Sequence, residues 1–398
     1  MNLLLQKALS ASVQNQDEES NIVAGVESYY VASAELDSVL RKHEALEGVL
    51  TLSDNVAAIA ESLEDNDETQ ALVDAFTANL LHSSAHVDAY DIGQIIQESQ
   101  SEDINDAALL PEGLTKFNAF AGVVMSFFAT LPGVAKAYAG QCTTLLEGMA
   151  DKGEKLAKEK IEFAKMSLLG VGGEANPVAS VTSFSEYMSS VASLDTVSDI
   201  LSKMVGLQVA QGDDFGTQMN EAVGKLAEAL GLKNEGTDGR FGKGISYFHS
   251  AALPSDKALF LSFDGAGMPA LSLRPCTAKT HSYSQELDAL TLESTNGLIA
   301  ANQSITDSIA KLGGIDSVIT SFKDSVAEQM KAESAELSKE EATALNKKYD
   351  EASTKAVRLL ANMKDLVGLA AKTTEASNAL AAISADNIEK KEEPAPAE

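Results

Sequence analysis

The sequence predicts a mainly α fold: a multi-helix bundle with a small antiparallel β meander and a long coiled-coil-like helix near the C-terminus. Three observations carry that prediction. First, small or apolar residues at Leu345, Tyr349, Ala352, Ala356, Leu359, Met363, Leu366, Ala370 and Thr373 alternate steps of four and three. That is the 3.5-residue period of a helix packed along its length against a partner. Second, hydrophobic residues make up 44% of the chain, yet aromatics are 5% and tryptophan is absent. Alanine and leucine therefore supply much of the core, which favours helix packing over sheet sandwiches. Third, the apolar period falls toward two between Arg240 and Pro275.

The 398 residues are enough for two or three domains. Residues 1–19 read as an amphipathic segment, MNLLLQKALSAS followed by a polar acidic break. Lys7 interrupts its apolar run and no basic stretch precedes it, so it is expected to dock on the protein body or on another protein, not to direct secretion. Residues 20–110 are an N-terminal helical region. Val23, Val26, Tyr30, Ala34, Leu36, Leu40 and Leu46 form a loose stripe, Ser53 and Asp54 offer N-caps, and Leu72, Val73, Phe76, Leu80 and Leu81 mark a third helix.

Residues 111–239 are expected to be a central helical bundle. No charge occurs from Phe117 to Ala135, and Tyr138, Leu145, Leu146 and Met149 continue the pattern. Pro132-Gly133 predicts either one long buried helix or a kinked pair. The stretch DKGEKLAKEK (151–160) reads as an exposed helical face, and GVGGEANPV (170–178) as a loop. Residues 240–280 form the meander, with strands expected within 245–253, 257–264 and 269–275. Pro254-Ser255-Asp256 and Asp264-Gly265-Ala266-Gly267 supply the turns.

Residues 281–387 are expected to form a C-terminal helical hairpin or bundle. Leu298, Ile305, Ile309 and Leu312 share a face, Gly313-Gly314 breaks it, and Ile315, Ile319, Phe322 and Val326 resume it. Ser338 and Glu341 form a capping box that starts the seam helix. That helix is predicted to run unbroken from Leu345 to Leu380 against the helices between 292 and 335. Residues 388–398, charged and proline-containing, are expected to be a disordered tail.

Composition narrows the function classes. A formal net charge of -29 and a pI near 4.5 repel nucleic acid and anionic lipid. Cys142 and Cys276 match no metal or redox spacing and give no disulfide framework. His82 and His86 lie four apart near Asp88 and Asp91, but no third ligand stands at a defined spacing, so no metal is expected there. The glycine-rich EGTDGRFGKG (235–244) lacks phosphate-loop spacing and precedes a strand, so it reads as a connection into the meander. DAYDIG (88–93) lacks the ligands of a calcium loop, and the histidines suggest no Ser-His-Asp arrangement. No cofactor and no enzymatic activity are expected.

One short motif gains interest from its position. Ser284-Gln285-Glu286, within THSYSQELD, joins the meander to the C-terminal helices in a polar setting that a protease could enter. Here the chain resembles the internal head proteins of giant tailed phages, which are helical, packed inside the prohead and trimmed after a small residue, any residue and glutamate. Gly25-Val26-Glu27, Ser33-Ala34-Glu35 and Ser334-Ala335-Glu336 match the same pattern. The resemblance implies a virion protein without catalysis, assembled in the host cytoplasm with other virion or scaffold proteins or with itself. The alternative reading is an α-helical membrane-active protein, a pore-former or translocator using residues 117–135.

Overall fold

The computed structural model describes residues 114–391, except 193, 195 and 278–280, together with Val31, Ala34, Asp37, Ser38 and Arg41. The chain divides into two compact units, one of residues 33–112 and one combining 1–32 with 113–398. In the former, Ala34, Asp37, Ser38 and Arg41 are described, and all four are helical. Every described residue from 114 onward belongs to the larger unit.

The fold of this larger unit is mainly α with small antiparallel strands, as the composition predicts. Eight of its helices combine in pairs into four long rods. The first rod is α1 (Thr115–Ala129) and α2 (Leu131–Met149), and the second is α3 (Pro177–Val191) and α4 (Val197–Ala210). After α5 (Phe215–Ala229) and a sheet, the third rod is α6 (Leu292–Leu312) and α7 (Ile315–Ser334). The fourth is α8 (Lys339–Ala361) and α9 (Met363–Asn387). Packing partners sort the eight helices into two halves. In one half α8 packs on α1, α4 and α7, and α7 packs on α1 and α4; in the other α6 packs on α2, α3 and α9, and α9 packs on α2. The first and fourth rods therefore run opposite to the second and third. Helix α5 packs on α4.

The heptad seam holds its register but not its continuity. Tyr349, Ala352, Ala356, Leu359, Met363, Leu366, Ala370 and Thr373 are all buried, and Leu345 is half-buried. The predicted single helix from Leu345 to Leu380 is instead two, broken at Asn362, whose side chain donates to Leu271 O at 2.9 Å. The Asn362 backbone N–H still reaches Arg358 O at 3.0 Å, so the break is a local interruption that this side chain ties to the sheet. Ser353, Val357, Leu360, Val367 and Thr374 are buried as well. The fourth rod is thus enclosed on several sides, and its partners include α1, α2 and α4 besides the helices of 292–335. The expected central bundle (111–239) and C-terminal hairpin (281–387) consequently share one core.

Starts of helices follow capping rules. Ser338 and Glu341 form the capping box, Thr291 Oγ1 accepts from Ser294 N, and Asn176 Oδ1 accepts from Ala179 N. Helix α1 has no local side-chain cap. Its Phe117 N donates 2.8 Å to Oδ1 of buried Asp350, supplied by α8. Polar side chains also meet inside the second half: Asn302 Nδ2 donates to Asn378 Oδ1 at 2.7 Å, and Asn378 Nδ2 to Gln141 Oε1 at 3.2 Å.

The meander is a four-stranded antiparallel sheet in sequence order: β3 (Asn234–Gly236), β4 (Ser246–His249), β5 (Lys257–Phe263) and β6 (Ala270–Pro275). Strand β3 is not expected from the sequence. The Asp264 turn forms as predicted, with Oδ1 accepting from Ala266 N and Gly267 N and Gly265 at φ 86°. DKGEKLAKEK is not helical. It forms β1 (Lys152–Leu156), which pairs with β8 (Ile388–Lys390), and leads into β2 (Lys160–Glu162), which pairs with β7 (Glu286–Asp288). Local charge pattern favours a helix there, but strand partners far along the chain decide the outcome. The start of the expected tail, 388–390, is likewise strand.

Candidate functional site

The sequence-predicted motif lies on an anchored segment. Phe163 N donates to Gln285 O at 2.7 Å, and β7 pairs with β2 through Ile161↔Leu287 and Glu162↔Glu286. Ser284 Oγ donates to Glu286 O at 2.8 Å, and Glu286 N donates back to Ser284 Oγ at 3.2 Å. Glu286 pairs with Lys160 at 2.7 Å, and both side chains are largely exposed. Ser284, Gln285 and Glu286 are exposed as expected, whereas Leu287 is buried.

Just ahead of this motif, three segments converge on one carboxylate. The turn of Pro254–Asp256 turns left-handed at Ser255 (φ 61°) and Asp256 (φ 53°). Asp256 Oδ1 accepts from Gly172 N at 2.6 Å, and Oδ2 accepts from His281 Nδ1 at 2.9 Å and from Tyr283 OH at 2.8 Å. Gly173 N donates to the Tyr283 oxygen at 3.2 Å, and Cys276 N donates to Asp256 O at 2.8 Å. The GVGG loop can approach this closely because its glycines lack side chains. A Cβ on Gly170 would overlap the Tyr283 ring, and Gly172 and Gly173 have φ of 63° and 86°.

The electrostatics describe a clip. Burial opposes ionisation of Asp256, but bonds from His281, Tyr283 and the Gly172 amide outweigh it and hold the carboxyl below its usual range. Burial and the Asp256 charge raise the Tyr283 phenol to about 12. Burial, followed by Asp256, also raises the Cys276 thiol. Both neighbouring nucleophile types are thus held protonated, the reverse of activation. Asp256 has both oxygens occupied by groups of this chain. Spacing gives no warning of this cluster: His281 and Tyr283 stand far along the chain from Asp256, and the sequence marks the latter as turn chemistry alone.

The other sequence candidates fall apart in space or outside the described residues. His82, His86, Asp88 and Asp91 lie outside them, as do Gly25-Val26-Glu27 and, apart from Ala34, the Ser33-Ala34-Glu35 motif. Ser334-Ala335-Glu336 ends α7 and enters the turn before α8, where Leu337 is 41% exposed. Within the glycine-rich 235–244 stretch, Glu235 and Gly236 belong to β3 and 237–244 roof the outer sheet face. Phe241 lies 5.2 Å from Tyr247 and 5.4 Å from Phe260, Arg274 stands over its ring at 4.7 Å, and Arg240 Nη1 donates to Cys276 O at 3.0 Å. Cys142 is buried in α2, its thiol raised to about 11 chiefly by burial.

Among the described residues, Lys116–Met149 is long and apolar enough to cross a bilayer. It carries an inner seam as regular as that of the fourth rod: Phe117, Ala121, Val124, Phe128, Leu131, Ala135, Tyr138, Cys142 and Met149 are buried. Comparison with protein-family models found no match, and neither the curated proteins nor the solved structures yielded one.

Proposed function

We propose that this chain is a non-enzymatic structural and assembly protein of a phage head, joined to other virion or scaffold proteins or to further copies of itself. The observation that carries this reading is the outer face of the first rod. Gly122, Ser126, Ala129, Gly133, Lys136, Gly140, Thr143 and Glu147 are exposed and recur at steps of four and three across the Thr130 break. One lysine and one glutamate are the charges on that row, in a chain of net charge -29. Acidic surfaces repel one another, so a neutral face is where another acidic protein approaches at least electrostatic cost. A Cβ at Gly122, Gly133 or Gly140 would meet nothing within 4 Å, so a partner helix has room to come close.

Sedimentation velocity of wild type beside Ala129→Glu/Gly140→Glu tests the reading. The expected result is self-association or binding to head proteins that the variant loses at unchanged melting temperature. Equal behaviour of the two proteins would remove this face from assembly. Processing after Glu286 belongs to the same proposal, and a fragment beginning at Leu287 in mature particles is its expected signature.

The membrane-active reading rests on the length and composition of Lys116–Met149. Against it, Phe117, Phe120, Phe127, Phe128 and Leu131 point into the protein core, so insertion would require unpacking both halves of the first rod. Dye-loaded vesicles are expected to remain intact in the presence of the protein, and rapid leakage would favour the membrane reading.

A further inference from the structure

All four rods break at one level, each by a different device. The first breaks at Thr130, where Pro132 removes a backbone donor two residues later. The second is out of helix at Leu194, the third breaks at Gly313-Gly314 and the fourth at Asn362. Two of these breaks touch: a Cβ on Gly313 would stand 2.9 Å from Pro132 Cδ. The others are set at the same level by partner exchange, because each half-rod packs on half-rods of its own end. Helices on opposite sides of the level share few contacts beyond their chain connections. Leu131, Leu194, Leu312, Ile315 and Met363 are buried beside the breaks and fill the level with apolar side chains.

We propose that this level is a hinge at which the half-bundle of α1, α4, α7 and α8 rocks against that of α2, α3, α6 and α9. Concurrent breaks let the rods bend together without disrupting any helix interior, and non-directional apolar contacts tolerate small sliding better than hydrogen bonds do. Asn362, tied to Leu271 O, seats the sheet at the same level.

Pulsed dipolar EPR on the full chain tests this, in a Cys276→Ser background that leaves only the wholly buried Cys142 thiol among the described residues. Spin labels at Gln303→Cys in α6 and Lys347→Cys in α8 report across the hinge, and labels at Thr320→Cys and Lys347→Cys report within one half. The expected cross-hinge distance distribution is broader than the within-half one. It is expected to narrow in Pro132→Ala/Gly314→Ala/Asn362→Ala, which restores a donor and raises helix propensity at three breaks. A cross-hinge distribution as narrow as the control overturns the proposal, and that comparison stands even if the triple variant does not fold. A folded triple variant with undiminished breadth also overturns it.

Discussion

Two aspartates show how one residue type takes opposite roles. Asp256 is held below its ordinary carboxyl range, with burial opposed and overcome by three hydrogen bonds. Its contribution to stability is therefore present above the unfolded carboxyl range and is lost as pH falls through the lowered folded value. Asp256→Ala is expected to cost about 2 kcal/mol or more at neutral pH, since hydrogen bonds to a charged group contribute roughly 1.5–3 kcal/mol each. The gap to wild type should close in acid, as thermal melts at several pH values would show. Hydrogen exchange at Leu287 should also quicken in that variant, because His281 and Tyr283 lose their anchor. Asp350 behaves inversely. Burial raises its carboxyl despite the Phe117 amide. Its favourable contribution is complete below the unfolded carboxyl range and is lost as pH rises through the raised folded value. Asp350→Asn keeps an acceptor for Phe117 N without the buried charge, so its stability relative to wild type should rise with pH. Asp350→Leu should instead lose the cap, about 0.5–2 kcal/mol. If Asp350→Asn instead lost stability relative to wild type as pH rose, the buried charge would be stabilising and burial would not dominate at Asp350.

Among the elements, the seam and the sheet make separable claims. Leu359 and Leu366 are buried in different half-bundles, on α8 and α9. Each truncation to alanine should cost about 2–5 kcal/mol, measured by denaturant unfolding. Because they face different partners across the Asn362 break, the two losses should be nearly additive. Strand β3 depends on a residue without a side chain: a Cβ on Gly236 would overlap the Tyr247 ring, which packs with Phe260 and Phe241 on the outer sheet face. Gly236→Ala should dislodge Tyr247 and release the 237–244 roof, read as increased proteolysis within that loop while the helical circular dichroism persists. The apolar run of β5 is legible as strand, but not that both its faces would be covered. Leu259, Leu261 and Phe263 occupy one face, and Ala258 and Phe260 pack under Phe241 on the other.

For the whole molecule, the interlocked rods change what cleavage would do. The motif at Ser284-Gln285-Glu286 reads in sequence as a joint whose cutting releases a C-terminal unit. In the structure α6–α9 pack throughout on α1–α4, and β7 and β8 pair with β2 and β1. A cut after Glu286 is therefore expected to leave two fragments that co-elute in gel filtration and separate only in denaturant. Separation under native conditions would contradict the shared core.

The helical class, the seam positions, the capping box at Ser338 and the strands β4 to β6 are all written locally along the chain. Apolar period and turn chemistry express them through a few neighbouring residues. The exposure of Ser284, Gln285 and Glu286 is equally local, because polar runs between periodic segments remain at the surface. Long-range packing alone sets the tie of Asn362 to the sheet, the Asp350 cap on α1, the strands formed from DKGEKLAKEK and the Asp256 clip. Each depends on a partner roughly 80 to 240 positions away, as with Leu271, Phe117, Ile388 and Gly172. Such pairings leave no periodic trace along the chain. They are selected only when closing a long loop is outweighed by satisfying a buried polar group or an open strand edge.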